Sequence, residues 1–146
     1  MLDNAIPIKG FIDKVEYFSN NEISVVDYKT GDIESAYTKE KLKKGNLEKD
    51  EIGGDYWRQA IFYKLLFDNT TLHKYNVRNA VYEFVEPNKK TQLIPEPFYF
   101  DFPKEEVDMV KNQINQTWEK IQAHDFYIGC GKENCEWCNL TKQLKS

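Results

Sequence analysis

The chain has 146 residues, 40% of them hydrophobic and 14% aromatic, which is enough for one packed domain and too much for a disordered polymer. A net charge of −4 works against an autonomous nucleic-acid binder, which needs clustered Lys and Arg, but leaves room for an enzyme that meets nucleic acid only at an acidic metal site. No apolar run is long enough to span a bilayer, and Met1-Leu2-Asp3-Asn4 lacks the basic and apolar regions of a signal peptide, so the cytoplasm is the expected compartment.

In chain order, the first periodic segment runs from Ile8 to Phe18, with Phe11, Asp13, Val15 and Tyr17 sharing one strand face. Ser19-Asn20-Asn21 reads as a tight turn, because Asn tolerates left-handed backbone. Ile23 to Lys29 is a second strand, which completes a hairpin. Residues 30–53 are a polar, glycine-punctuated connection with a short helix expected near Lys39–Lys44. Asp55 to Asp68 is apolar almost all round and predicts a largely buried helix. Val77 to Val85 is a third strand. Thr91 to Phe102, interrupted by Pro95 and Pro97, is an extended edge segment. Pro103 opens a second helix whose apolar face carries Val107, Val110, Ile114, Thr117 or Trp118, and Ile121. The order strand, strand, helix, strand, strand, helix gives an α/β (mixed α+β) class, a central mixed β-sheet of about four strands flanked by helices. The expected division is a core over residues 1–128 and a cysteine-containing tail over 129–146.

Asp13 and Asp27-Tyr28-Lys29 are the sharpest feature of the chain. Asp27 and Lys29 leave the same face of a strand. With an odd-numbered hairpin loop, Asp13 sits opposite Asp27, their Cβ atoms about 4.5–5.5 Å apart. Two carboxylates that close resist ionising together unless a cation lies between them, and a hard divalent cation such as Mg²⁺ suits an all-oxygen site. Lys29 beside the pair is placed to orient a water or to neutralise charge developing on a phosphoryl group. For an isolated Asp-x-Lys a solvated hairpin would be the better reading. Here Asp27 ends the apolar run Ile23-Ser24-Val25-Val26, where an unpartnered charge is costly. Gln59 and Tyr63, four apart, share one helix face. Taken alone they are core-edge residues. Beside a metal site they could hold a phosphate or steady a ligand.

Gly10-Phe11-Ile12-Asp13-Lys14-Val15-Glu16, then Val25-Val26-Asp27-Tyr28-Lys29-Thr30-Gly31, then Gln59-x-x-x-Tyr63 resembles the RecB-type branch of the PD-(D/E)XK nuclease superfamily. The pattern of that branch is G-x-(I/L)-D-R-(I/V)-(D/E), V-x-D-(Y/F)-K-(T/S)-G and Q-x-x-x-Y, in this order. Lys14 stands where the family usually has Arg. The resemblance covers residues 8–68 directly and implies a restriction-endonuclease-like core. It implies Asp13, Asp27 and the Tyr28 backbone carbonyl as ligands of Mg²⁺ or Mn²⁺, Lys29 as the catalytic lysine, and Gln59 and Tyr63 as the auxiliary pair. Thr30 and Gly31 would shape the strand end. The implied activity is hydrolysis of DNA phosphodiester bonds, exonucleolytic in many relatives, in DNA repair and recombination. The implied partners are helicase domains of the same parent chain and a helicase–nuclease partner subunit. The family places a helix before the first Asp. Only seven residues precede the matching strand here, so the chain is expected to be a fragment lacking that helix.

Cys130-x4-Cys135-x2-Cys138 closes the chain. Three thiols that close in a cytosolic protein suggest metal ligation, but zinc and iron–sulfur sites take four ligands. Some relatives bind a [4Fe-4S] cluster through three C-terminal cysteines and one far upstream, with a different spacing. The alternative is that these are thiols in a tail, and His124 is weak as a fourth zinc ligand. The lysines at 39–49, interleaved with Glu40, Glu48, Asp50 and Glu51, read as a solvated loop, with DNA contact as the other possibility. Two further readings stand beside the nuclease: an inactive nuclease-fold module for DNA binding or scaffolding, and a small zinc-binding domain. The first sits badly with an intact Asp13, Asp27 and Lys29, and the second leaves the first hundred residues unexplained.

Overall fold

The computed structural model describes residues 6–49, 51–70, 75–125 and 135–143. Its elements are β1 (Lys14–Tyr17), β2 (Glu22–Lys29), α1 (Ile33–Thr38), α2 (Asp55–Asp68), β3 (Asn76–Phe84), β4 (Phe98–Phe100), α3 (Lys104–Gln122) and α4 (Glu136–Gln143). The chain divides into two compact units, Met1–Gln113 and Ile114–Ser146, with the boundary inside α3. The four-stranded sheet, α1 and α2 belong to the first unit. No helix among the described residues is long and apolar enough to cross a membrane.

The hairpin forms around Asn20 and Asn21, both at φ 61, a left-handed backbone that Asn tolerates better than most residues. β1 and β2 pair antiparallel, Lys14 against Val26 and Tyr17 against Ile23, and Phe18 N–H donates to the Glu22 carbonyl at 2.8 Å to close the turn. β1 is shorter than the expected strand from Ile8 to Phe18. The reason lies at Gly10, where a Cβ would come within 2.6 Å of Leu66 Cδ1 and 3.3 Å of Phe62 Cε1. That stretch is laid on α2 side chains instead of continuing the ladder.

The sheet order is β1-β2-β3-β4, with β2 and β3 parallel and the outer pairs antiparallel. A parallel pair needs a long crossover, which α1, the polar connection and α2 supply. β2 and β3 are the inner strands. Ile23, Ser24, Val25, Val26 and Asp27 are buried in succession, as expected of a strand covered on both faces. On α2, Trp57, Ala60, Ile61, Leu65, Leu66 and Phe67 are buried, in line with its near-continuous apolar sequence. Trp57 also donates its Nε1–H to Glu106 Oε2 on α3 at 2.8 Å, so its one polar atom is satisfied.

Two further boundaries differ from the sequence reading. The short helix lies at Ile33–Thr38, ahead of Lys39–Lys44, because Asp32 caps it by accepting from Glu34 N–H at 3.2 Å. It stops at Lys39, and Glu40 takes a φ of 51. β4 is only three residues long, since Pro95 and Pro97 bring no N–H to a ladder, and it pairs Phe98 with Tyr82 and Phe100 with Ala80. α4 adds a helix within the expected cysteine-containing tail. Glycine at 54 is required by a backbone crossing, because a Cβ there would lie 2.2 Å from the Glu40 carbonyl oxygen and 2.3 Å from that of Lys41.

Candidate active site

Asp27 and Lys29 project from the C-terminal end of β2 toward one face of α2. Charged groups reach this position because the parallel register ends there, with Asp27 beside Tyr82 and Lys29 beside Phe84 of β3. Both are nearly buried, 6% and 8% exposed. Such a pair is tolerable only if its remaining hydrogen-bond capacity is used. Lys29 Nζ lies 2.7 Å from Asp27 Oδ2 and donates to Gln59 Oε1 at 2.5 Å. It also stands 4.3 Å from the ring centroid of Tyr56 and 4.4 Å from that of Tyr82, within cation–π range of both.

The α2 side of the site is built by helical spacing. Tyr56, Gln59 and Tyr63 are related by steps of three and four and so line one face. The orientation of the Gln59 amide is dictated by chemistry. Lys29 only donates, so Oε1 must face it, which turns Nε2 toward the Tyr63 hydroxyl at 2.9 Å. Tyr63 then donates its own proton to Asp27 Oδ1 at 2.5 Å. Burial pushes the Tyr63 hydroxyl well above its ordinary pKa of 10, and its bond to the Asp27 carboxylate raises it further. It therefore stays a donor throughout the neutral range. Burial, followed by the nearby charge of Asp27, drives Tyr82 in the same direction. The Tyr82 hydroxyl donates to the Tyr56 carbonyl at 2.7 Å and lies 3.3 Å from Gln59 Oε1.

Asp13 is exposed, one residue before β1. Continuing the register from Lys14 against Val26 sets it across from Asp27. Its Oδ2 accepts the Tyr28 N–H at 2.9 Å, and its charge is felt at the Tyr63 hydroxyl together with that of Asp27. Within a strand the N–H and C=O of one residue face the same neighbour, so the Tyr28 carbonyl is directed to the Asp13 side. Lys29 faces the other way, its carbonyl accepting from Val85 N–H at 3.1 Å.

Asp13, Asp27 and the Tyr28 carbonyl are all oxygen donors. Each Asp27 oxygen has one protein partner and keeps a second lone-pair direction. No group of three or more His, Cys, Asp or Glu able to hold a metal occurs among the described residues. Two carboxylates with one carbonyl is a sparse set. It suits Mg²⁺, which binds through one or two carboxylates and keeps several waters, and it does not suit a cation that needs a full protein cage.

Of the remaining sequence candidates, Cys135 precedes α4, and Cys138 lies inside it and is buried. His124 follows α3 with a left-handed backbone, at φ 55, and Cys130 lies outside the described residues. Sequence reasoning missed Tyr56 and Tyr82, whose rings enclose the Lys29 ammonium. Tyr56 was readable as the next residue along the Gln59–Tyr63 face. Tyr82 carried no signal of its own, since β3 also holds Asn76, Arg78, Asn79 and Glu83.

Tyr63→Phe tests the network. The variant keeps the ring and leaves Asp27 Oδ1 and Gln59 Nε2 each short of a partner, at a cost of about 1.5–3 kcal/mol for a hydrogen bond to a charged group. A lowered urea midpoint with an unchanged slope is the expected result. The sign of the pH effect follows from the raised pKa. The tyrosine's contribution is complete below pH 10 and declines above it, as the unfolded chain ionises first. The variant should show a shallower alkaline decline, because Tyr82, shifted the same way, keeps its own share.

The hairpin thus delivers Asp-x-Lys to the edge of a parallel crossover, faced by a Gln/Tyr helix. The chain matches the PD-(D/E)XK nuclease superfamily over residues 2–142 and belongs to it. A search of curated proteins and one of solved structures each gave no match.

Proposed function

We propose that the chain is a DNA nuclease domain of the RecB-type branch, hydrolysing phosphodiester bonds with Mg²⁺ or Mn²⁺ held by Asp13, Asp27 and the Tyr28 carbonyl. The observation that carries this reading is the buried Lys29–Asp27 pair at 2.7 Å, braced by Gln59 and Tyr63, with Asp13 across the hairpin. A purely structural role would not favour a charged pair here, because apolar residues of similar size serve stability as well or better.

The bound cation would activate a water and offset negative charge on the phosphoryl oxygens. The protein's own groups do the positioning. Gln59 and Tyr63 fix the Asp27 carboxylate and aim the Lys29 ammonium. Lys29 orients the attacking water or stabilises charge that builds at phosphorus as the water oxygen bonds and the opposite P–O bond breaks, and the leaving oxygen takes its proton from solvent. The rings of Tyr56 and Tyr82 keep bulk water from the ammonium, which strengthens its field. In this reading residues 1–128 are the nuclease core and 129–146 its tail. The domain works in the cytoplasm within a helicase-linked repair or recombination enzyme.

Isothermal titration of Mn²⁺ into the protein and into Asp27→Ala, with plasmid nicking in parallel, tests the reading. Binding and nicking that both vanish in the variant support it. Wild-type protein that neither binds the ion nor nicks DNA overturns it in favour of a non-catalytic fold.

A further inference from the structure

Several lysines of the chain are matched by carboxylates, Lys14 by Glu16, Lys44 by Glu106, Lys64 by Asp68 and Lys90 by Glu34. Lys41 is different. Among the described residues its ammonium has no carboxylate within ion-pairing distance. It lies 4.8 Å from the ring centroid of Tyr56 and 3.4 Å from that residue's hydroxyl. The same ring lies 4.3 Å from the Lys29 ammonium. Two cations therefore share one aromatic ring, one nearly buried in the candidate active site and the other half-buried beside it.

Lys41 also lines a cleft of about 570 Å³ together with Lys39, Lys43 and Arg58. Lys43 is drawn to Glu51 at 3.2 Å and Glu40 at 3.7 Å, and Arg58 is paired with Asp55. Four cations, Lys39, Lys41, Lys43 and Arg58, against three carboxylates, Glu40, Glu51 and Asp55, leave the cleft lining one positive charge in surplus, with Lys39 and Lys41 outside these ion pairs. The start of α2 adds little attraction for anions, because the Tyr56 and Trp57 N–H groups already donate to the Lys41 carbonyl at 3.0 and 3.3 Å. The side chains must supply it. In a chain of net charge −4, this is a local positive surplus one ring away from the reacting centre.

We propose that this cleft is the track for the substrate's phosphate backbone beyond the scissile bond, with Lys41 contacting a phosphate next to the one cleaved, an inference that rests on the nuclease reading. Two ammonium groups across one ring repel each other, and a polyanion lying along both relieves that repulsion. Contact through lysine to phosphate positions the strand and carries no base preference, so the track is blind to sequence.

The test is fluorescence anisotropy of a short labelled single-stranded DNA oligonucleotide in EDTA, across a salt series, with wild type, Lys41→Ala and Lys41→Arg, alongside nicking by the same proteins in Mn²⁺. One lost phosphate contact should weaken binding about 5-fold at 0.1 M salt and lower the salt slope by about 0.7, and Lys41→Arg should restore both. A wild type that nicks while Lys41→Ala keeps its affinity and slope overturns the track and leaves the nuclease standing. Weaker binding with an unchanged slope, or without rescue by arginine, also overturns it, since that is the signature of lost packing on Tyr56. Weakened, salt-shifted binding by Lys41→Ala in a protein that never nicks sinks the nuclease reading and overturns the track as a substrate path, leaving Lys41 a phosphate contact of a non-catalytic DNA-binding fold. No binding by wild type in EDTA overturns the track, and the nicking assay in Mn²⁺ then decides the nuclease reading by itself.

Discussion

Asp27→Asn is expected to abolish cleavage and to destabilise the fold at the same time. Losing a ligand carboxylate removes several kcal/mol of charge stabilisation at the phosphoryl group, about 10³-fold or more in rate. The stability loss has a separate origin. The wild-type pair is shielded, with side-chain exposures of 10% and 8%, and removing one partner of such a pair costs about 3–5 kcal/mol. Asparagine also mismatches the network. Its carbonyl must turn to Lys29, which only donates, so its NH₂ faces a Tyr63 hydroxyl that already accepts from Gln59. The Tyr63 proton then has no acceptor. Urea unfolding should show a large drop in midpoint, and titration calorimetry should show Mn²⁺ binding lost under conditions where the variant is still folded. Retained nicking would remove Asp27 from the metal site. Retained stability would mean that the pair contributes nothing to the fold.

The parts of this arrangement that sequence could reveal are the local ones. Asn20-Asn21 specifies its turn by backbone preference, and the odd-numbered loop that would let Asp13 face Asp27 is the one observed, with Tyr17 against Ile23. Gln59 and Tyr63 meet because residues four apart on a helix must. Boundaries set by distant residues were not legible. β1 starts at Lys14 instead of Ile8 because Gly10 lies against Leu66, a contact between segments that are remote in sequence. The surroundings of Lys29 were hidden for the same reason. Tyr82 reaches it only through the parallel register of β2 and β3, and that register shifts at Ile23/Ser24, so counting from either strand alone would misplace it. Tyr56 was local but carried no motif. The polar connection was read as solvated, and Lys43 and Lys44 are paired with carboxylates at the surface. Lys41 departs from that pattern because the Lys41 carbonyl caps α2 while its side chain lies over Tyr56.

Lys29→Met is expected to separate catalysis from metal binding. Removing a single preorganised cation or donor at a developing charge costs about 10²–10³-fold in turnover. Asp13, Asp27 and the Tyr28 carbonyl remain in the variant, so Mn²⁺ affinity should be equal to or above that of wild type, because the neighbouring ammonium that repels the ion is gone. Methionine also suits the vacated space between Tyr56 and Tyr82, where a thioether makes favourable contacts with aromatic rings. The remaining penalty is the Asp27 carboxylate, which keeps the Tyr63 hydroxyl and loses its cation. Combining Lys29→Met with Asp27→Asn removes both charges, and the double variant should be more stable than Asp27→Asn alone, with a coupling energy of about 1–3 kcal/mol in a double-mutant cycle. That ordering distinguishes a pair kept for chemistry from one kept for the fold. A double variant less stable than either single one would mean the pair is a structural asset. Loss of Mn²⁺ binding in Lys29→Met would mean that the lysine serves chiefly to hold Asp27 in place.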